Sequence, residues 1–165
     1  MVIPIAIACN TGKQKSLRIG DIAPNFILLD ENEQAIALKD FANKKIVLYF
    51  YPKDNTPNCT KEACQLRDAF AIYKKNNIII LGVSYDSPQS HAKFKNKNNL
   101  PFTLLSDQSG DVAKLYGANT NLLSWFFPDR KTILIDENGK VIQIFKDVDV
   151  KTHSEKILKA FNIKN

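Results

Sequence analysis

The sequence predicts an α/β fold in which helices flank a central mixed β-sheet, with a β-hairpin on its N-terminal side. Two runs of apolar, β-branched and aromatic residues, 45–51 and 78–84, have the composition of strands that are covered on both faces. Between them, from 59 to 75, apolar side chains recur at helical spacing. This order predicts a βαβ unit, right-handed and with parallel strands.

Two hairpins are predicted on either side of this unit. Strands at 26–30 and 35–38 flank a polar turn, and strands at 132–136 and 140–145 flank Glu137-Asn138-Gly139. The Asn-Gly step is a strong hairpin signal because both residues tolerate positive φ. Both pairs are therefore expected to be antiparallel.

The remaining elements complete the α/β pattern. They are a helix near 89–97, a short strand at 102–105 and a helix over about 110–116. The last helix is predicted to open at a capping box formed by Thr152 and Glu155. Three of its apolar residues are expected to face the core, namely Ile157, Leu158 and Phe161.

The length and composition fit one globular domain. A chain of 165 residues with 44% hydrophobic residues can bury roughly two-thirds of its unfolded surface. We assign 17–165 to this domain and 1–16 to an N-terminal extension, expected to be poorly ordered. The extension contains an apolar stretch ending at Cys9, which is typical of a signal remnant but lacks a basic leading segment. We expect a cytoplasmic protein, with an exported or periplasmic one as the alternative.

Charge and hydropathy argue against two other classes of protein. The net charge is +6, but the basic residues are scattered and form no docking motif, so nucleic-acid binding is not expected. The longest apolar run, 78–83, is too short to span a bilayer. Three cysteines, an odd number, do not suggest a secreted disulfide framework.

The most informative feature is the pair Cys59 and Cys64, which follows the strand 45–51. The start of a helix offers unpaired N–H groups and the positive end of the macrodipole, and both favour a thiolate. Residues five apart in an ideal helix have Cα atoms roughly 8.7 Å apart. A disulfide needs about 4.4–6.8 Å. The two cysteines can therefore bond only if the first turns of the helix unwind.

The residues alone leave three interpretations of this pair open. It is equally compatible with redox chemistry and with two buried structural thiols, since free cysteine is often buried. A zinc site is less well supported, because structural sites use four ligands at short paired spacings. The other candidate ligands are isolated in sequence, namely Cys9, His91 and His153. Both histidines lie in polar helical stretches and are expected to be solvated.

The pattern Pro52-x-x-x-Thr56-x-x-Cys59 matches the active-site pattern of peroxiredoxins. The string from Phe50 to Asp68 resembles the peroxiredoxin Q subfamily, also called bacterioferritin comigratory protein, although Asn58 replaces the usual glycine. Further matching motifs follow in the family's order: Gly20-Asp21-Ile22-Ala23-Pro24-Asn25-Phe26, Leu104-Leu105-Ser106-Asp107, Tyr116-Gly117 and Arg130-Lys131-Thr132-Ile133-Leu134-Ile135-Asp136. The resemblance implies that the α/β domain has the thioredoxin-like fold.

The resemblance also implies a thiol-dependent peroxidase that reduces hydrogen peroxide and organic hydroperoxides. Cys59 would be the peroxidatic cysteine, which becomes a sulfenic acid, and Cys64 would resolve it to an intramolecular disulfide. Arg130 would stabilise the thiolate and the leaving oxygen. Thr56 would orient the peroxide and Pro52 would shield the thiolate from water. Without the resemblance, Thr56 also fits a helix N-cap, and Arg130 also fits a surface residue at the start of a strand.

The same resemblance implies recycling by thioredoxin or a similar dithiol protein, a monomer, and no requirement for a metal, flavin or haem. The alternatives are a one-cysteine cycle with an external thiol and a redox sensor or chaperone-like binder. A general dithiol oxidoreductase is disfavoured because the chain lacks a C-x-x-C pair.

One predicted loop, 118–129, is unusually apolar. Its large hydrophobic residues are Leu122, Leu123, Trp125, Phe126 and Phe127. Exposed clusters of this kind mark pocket walls or contact surfaces. These side chains are expected either to line the approach to Cys59, to contact a partner, or to be buried as ordinary core.

Overall fold

A seven-stranded mixed sheet forms the centre of the computed structural model, which describes residues 16–164. The strands are β1 (Ile27–Asp30), β2 (Ala35–Ala37), β3 (Lys45–Phe50), β4 (Ile78–Ser84), β5 (Thr103–Ser106), β6 (Lys131–Ile135) and β7 (Val141–Phe145). Their order across the sheet is β2-β1-β5-β4-β3-β6-β7. The extension predicted at 1–16, with Cys9, lies outside the described residues except for Ser16.

Strand pairing confirms the predicted mixed sheet. β3, β4 and β5 run parallel, with Leu48 opposite Leu81, whereas β1–β2 and β6–β7 are antiparallel hairpins. The second hairpin turns at Gly139, whose φ of 77° is readily adopted only by glycine and a few polar residues. β6 also runs antiparallel to β3, so the start of β6 lies beside the carboxyl end of β3.

Helices cover both faces of the sheet. They are α1 (Pro57–Asp68), α2 (Phe70–Lys75), α3 (Pro88–Asn98), α4 (Asp111–Leu115) and α5 (His153–Ala160), with short 3-10 turns at Leu38–Phe41 and Leu122–Trp125. In residues 16–164 no helix has both the length and the apolar character needed to cross a membrane.

Two details of the predicted helices are wrong. The helix expected at 59–75 begins earlier, at Pro57, because proline suits the first helical position, and it is interrupted at Ala69. The capping box at Thr152 does not form, since the Thr152 hydroxyl donates to Asp149 Oδ2 at 3.2 Å instead. The predicted core contacts of α5 are confirmed, because Ile157, Leu158 and Phe161 are all buried.

The core is divided by the sheet into two layers, because alternate residues of a strand point to opposite faces. Val47 and Tyr49 pack with α1 and α5, whereas Leu48 and Phe50 pack on the other face with α4. Cys59 belongs to the first layer. The end of β3 and the start of α1 therefore bring this cysteine to the edge of the sheet where β6 begins.

Candidate active site

Cys59 is the third residue of α1 and is 2% exposed. The helix begins with Thr56 in an extended conformation at the N-cap and Pro57 at the first helical position. The Thr56 hydroxyl makes no capping hydrogen bond and donates instead to the carbonyl oxygen of Lys53 at 3.0 Å. Cys59 therefore lies in the first turn of the helix, where the macrodipole is positive, and no acidic residue stands in that turn.

Arg130 lies beside this sulfur. Phe50 of β3 pairs with Lys131 of β6, so the register places Arg130 just beyond the carboxyl end of β3. Its Nη2 lies 3.2 Å from Cys59 Sγ, and its side chain is 18% exposed. The alternative of a surface arginine is therefore wrong. The burial of Cys59 is not burial in a purely apolar interior, because a guanidinium donates to the sulfur.

Glu62 is the second acidic group on the same guanidinium. It lies one helical turn after Cys59, is 1% exposed, and its Oε2 accepts from Arg130 Nη1. Its Oε1 has no hydrogen-bond partner among residues 16–164. Burial raises the pKa of Glu62 from 4.5 to about 7, against the opposing effect of the Arg130 charge and hydrogen bond. The Arg130 guanidinium therefore contacts both the Cys59 sulfur and the Glu62 carboxyl group. Near neutral pH the protonated and ionised forms of Glu62 are both populated.

The pKa of Arg130 reflects the same arrangement. Burial alone would lower the pKa of the guanidinium, but the charges of Glu62 and Cys59 outweigh burial and hold it above its ordinary value. Sequence reasoning missed Glu62, although its spacing of three residues from Cys59 places both on one face of a helix.

His153 closes the buried side of the site, contrary to the prediction that it is solvated. It is 1% exposed, its Nε2 lies 2.8 Å from Thr132 Oγ1, and the same nitrogen lies 3.9 Å from Glu62 Oε1. The N-terminus of α5 packs against α1, and the ring of Phe145 meets the imidazole edge to face. Burial, helped by the charges of Lys156 and Arg130, lowers the pKa of His153 to about 4, so the ring is neutral at pH 7.

An open groove of about 1080 Å³ leads to the site. Pro52 and Arg130 line it, together with Leu122, Leu123 and Phe127 of the apolar loop. The expectation of an ordinary core is wrong for this loop, since Leu122 is 84% exposed and Leu123 is 58% exposed. Its other two large side chains, Trp125 and Phe126, are 83% and 76% exposed and do not line the groove.

Cys64 lies farther along α1 and is partly buried. Both cysteines carry free thiols, and both lie within the regular helix, so the separation worked out above applies. At the far end of α1, Arg67 Nη1 donates to the carbonyl oxygen of Asn98 at 2.8 Å. Because Arg67 holds the far end of α1, the sulfurs of Cys59 and Cys64 can approach each other only if the first turns of α1 unwind.

The predicted site residues thus converge only in part. Arg130 contacts Cys59 and lines the groove with Pro52, and Thr56 is the N-cap of the helix that carries Cys59, whereas Cys64 lies farther along that helix. In residues 16–164 there is no cluster of three histidine, cysteine or acidic side chains that could hold a metal ion. The arrangement is a buried thiol, an arginine and a groove open to an external substrate.

Comparison with known proteins identifies a family and several similar proteins. The profile of the AhpC/TSA family matches residues 19–144. A putative peroxiredoxin, bcp, of Coxiella burnetii is 41% identical over 147 residues, which cover 87% of this chain and 97% of that protein. The crystal structure of a cysteine-to-serine variant of peroxiredoxin Q from Xylella fastidiosa superposes with a TM-score of 0.83 at 29% identity, covering 90% of this chain and 97% of that one.

A third similar protein is the bacterioferritin comigratory protein of Xanthomonas campestris. It superposes with a TM-score of 0.78 at 29% identity and covers 83% of this chain and 90% of that one. Its crystal structure is described as giving insight into alkyl peroxide reduction, from trapped intermediate and ligand complexes. The family match, over residues 19–144, includes α1 and the loop that precedes it.

Proposed function

We propose that Cys59 is the reacting sulfur of this protein. The premise is that the chain belongs to the AhpC/TSA family and is a thiol peroxidase of its peroxiredoxin Q subfamily. The observation that supports this role is the contact of 3.2 Å between Arg130 Nη2 and Cys59 Sγ. A guanidinium at this distance stabilises the thiolate, which is the nucleophilic form.

In the first step the thiolate of Cys59 attacks one peroxide oxygen and the O–O bond breaks. The sulfur is oxidised to a sulfenic acid, and the second oxygen leaves as hydroxide or alkoxide, which takes up a proton to give water or an alcohol. Arg130 is supported as the group that stabilises the developing charge, because its donors are already fixed by Glu62 and do not have to reorganise. Thr56 and Pro52 are proposed to orient the peroxide and to exclude water.

In the second step we propose that Cys64 attacks the sulfenic sulfur and releases water, forming the Cys59–Cys64 disulfide. The first turns of α1 must unwind for this bond to form, which brings the disulfide towards solvent. A dithiol protein such as thioredoxin would then reduce it. The catalytic unit is proposed to be a monomer, which sedimentation velocity at micromolar concentration tests.

The groove supports organic hydroperoxides as substrates in addition to hydrogen peroxide. Its wall of Leu122, Leu123 and Phe127 offers apolar contact to an alkyl or aryl group whose peroxide reaches Cys59. The ratio of the rate constants for cumene hydroperoxide and hydrogen peroxide tests this. Leu123→Ser should lower the ratio about fivefold or more, since one apolar side chain contributes about 1 kcal/mol or more. Trp125→Ser is the matched control, because Trp125 lies on the same loop outside the groove.

Stopped-flow measurement of peroxide consumption, with thioredoxin and its reductase supplied, tests the proposal as a whole. The native protein and Cys64→Ser should both react rapidly in the first turnover, whereas Cys59→Ser should not react. Mass analysis then separates the two cycles: a Cys59–Cys64 crosslink supports the two-cysteine cycle. A sulfenic or sulfinic acid that persists in the native protein would support the one-cysteine cycle instead.

A further inference from the structure

A buried pair that the chemistry above does not use fixes the loop between β3 and α1. Asp54 lies in this loop, and its Oδ2 is 2.9 Å from Nδ1 of His91 in α3. The side chains are 1% and 0% exposed, so the prediction that His91 is solvated is wrong. The reason is that α3 packs onto the sheet and turns this face inward, where an acidic partner 37 residues away in sequence meets the imidazole.

The hydrogen-bond roles show that the pair holds a proton between its members. His91 Nε2 lies 3.1 Å from the carbonyl oxygen of Leu105, which can only accept, so Nε2 carries a hydrogen. The contact between Nδ1 and Oδ2 then needs a second proton, carried by either the imidazole or the carboxyl group. In both cases the pair has no net charge, which allows burial at moderate cost.

The carboxyl group of Asp54 is held on every side. Tyr51 donates its hydroxyl to Oδ1 at 2.7 Å, and Ser90 donates to Oδ2 at 2.8 Å. The backbone N–H of Asp54 donates to Asp86 Oδ2 at 2.9 Å. The loop is therefore attached to the ends of β3 and β4 and to α3.

This attachment lies between the two residues that are proposed above to orient the peroxide and to exclude water. Asp54 follows Pro52 by two residues and precedes Thr56 by two. The Thr56 hydroxyl donates to the carbonyl oxygen of Lys53, so its position depends on the backbone that Asp54 holds. Asn55 lies between Asp54 and Thr56 and has a φ of 62°. This left-handed conformation is costly for a residue other than glycine and is maintained by the hydrogen bonds of Asp54.

We propose that Asp54 and His91 are positioning residues for peroxide reduction: the pair fixes the loop 52–56 and so places Pro52 and Thr56 against the peroxide at Cys59. This inference rests on the proposed function of Cys59. The contact between Arg130 and Cys59 joins the residue before β6 to α1, and the pair makes no contact with Arg130 or Cys59. Losing the pair should therefore impair the use of peroxide and leave the reactivity of the thiolate itself nearly unchanged.

The test compares two reactions of the same sulfur, oxidation by hydrogen peroxide and alkylation by iodoacetamide. Asp54→Ala and His91→Phe should each lower the ratio of the peroxide rate to the alkylation rate by about tenfold or more, because small displacements of orienting groups are costly. The double variant should be no worse than the poorer single variant, since both remove one interaction. Lys93→Ala, exposed on the same helix as His91, should leave the ratio unchanged.

Asp54→Asn is the informative conservative variant. Its amide can donate to Nδ1 of a neutral His91 and accept from Tyr51, so the loop stays attached and the ratio should remain within about threefold of the native value. Tyr51→Phe removes, at almost constant volume, the hydroxyl that donates to Asp54 Oδ1 and lies 3.3 Å from His91 Nδ1, and it should lower the ratio about threefold. Near-ultraviolet circular dichroism shows whether Asp54→Ala folds. If it does not fold, the ratio measured for Tyr51→Phe is used to test the proposal instead.

Three results would overturn the proposal. The first is an unchanged ratio in Asp54→Ala that is shown to be folded. The second, used if Asp54→Ala is unfolded, is an unchanged ratio in Tyr51→Phe. The third is a decrease of the ratio in Asp54→Asn as large as the decrease in Asp54→Ala. Failure of the proposed function is separate and visible in the native protein. In that case prior treatment with peroxide would not protect Cys59 from iodoacetamide.

Discussion

Replacing Glu62 by glutamine should change how stability depends on pH. The folded protein holds the proton of Glu62 more tightly than the unfolded chain, because burial raises its pKa from 4.5 to about 7. Stability is therefore lost as pH rises from about 4.5 to 7 and is constant above that range. A rise of this size corresponds to about 3 kcal/mol. Glutamine does not ionise, yet it keeps an oxygen that can accept from Arg130.

The expected result is a difference between two curves. The free energy of unfolding of Glu62→Gln, relative to the parent protein, should increase by about 3 kcal/mol between pH 4.5 and pH 8. Guanidinium unfolding at half-unit pH intervals measures it, with both proteins carrying Cys59→Ser to avoid oxidation. This background keeps the pKa of Glu62, because its causes are burial and Arg130.

The control is Glu155→Gln, at an exposed position of α5, which should give a curve parallel to that of its parent. Parallel curves for Glu62→Gln as well would refute the reasoning. They would mean that Glu62 is as easily ionised in the folded protein as in the unfolded chain. Glu62 would then be a full carboxylate beside Arg130 at all pH values above 5.

Three further predictions concern the other members of the site. Arg130→Gln should lower the rate constant for peroxide about 100-fold or more in stopped-flow measurements, as expected for loss of a preorganised donor, and an unchanged rate would contradict its role. His153→Asn should remove part of the acid sensitivity of the protein. Burial lowers the pKa of His153 from 6.5 to about 4, so its contribution is present above pH 6.5 and about 3 kcal/mol is lost as pH falls through 4. Unfolding curves at pH 4 and pH 7 that match those of the native protein would contradict this. Cys64→Ser should keep the first-turnover rate within about twofold but should abolish the loss of helical circular dichroism on oxidation, since only the disulfide requires α1 to open. A helical signal that still falls in this variant would contradict the two-cysteine cycle.

The sequence predicts the sheet well because its signals are local. Apolar runs such as 45–51 and 78–84 and the Asn-Gly turn act within a few residues, and all of them became strands or turns of the expected kind. The interruption at Ala69 carries no local signal, since alanine favours a continuous helix. It could therefore not be anticipated from propensity.

The misplaced histidines show what local patterns cannot predict. The burial of His91 depends on Asp54, and the burial of His153 depends on how α5 packs against α1. Glu62 was missed for a similar reason, because a glutamate on a helix is usually solvated unless a partner is brought to it. That partner, Arg130, arrives through the β3–β6 register, 68 residues away in sequence. The burial of these three polar side chains therefore depends on contacts between elements that are far apart in sequence, which local patterns do not record.

The most direct test identifies the sulfur that peroxide oxidises. Reduced Cys64→Ser protein is treated with one equivalent of hydrogen peroxide in the presence of dimedone, and its peptides are analysed by mass spectrometry. The dimedone adduct should appear on Cys59 in near-stoichiometric amount and should be greatly reduced when Arg130→Gln is added. Consumption of the peroxide with Cys59 still in its thiol form would contradict the central claim.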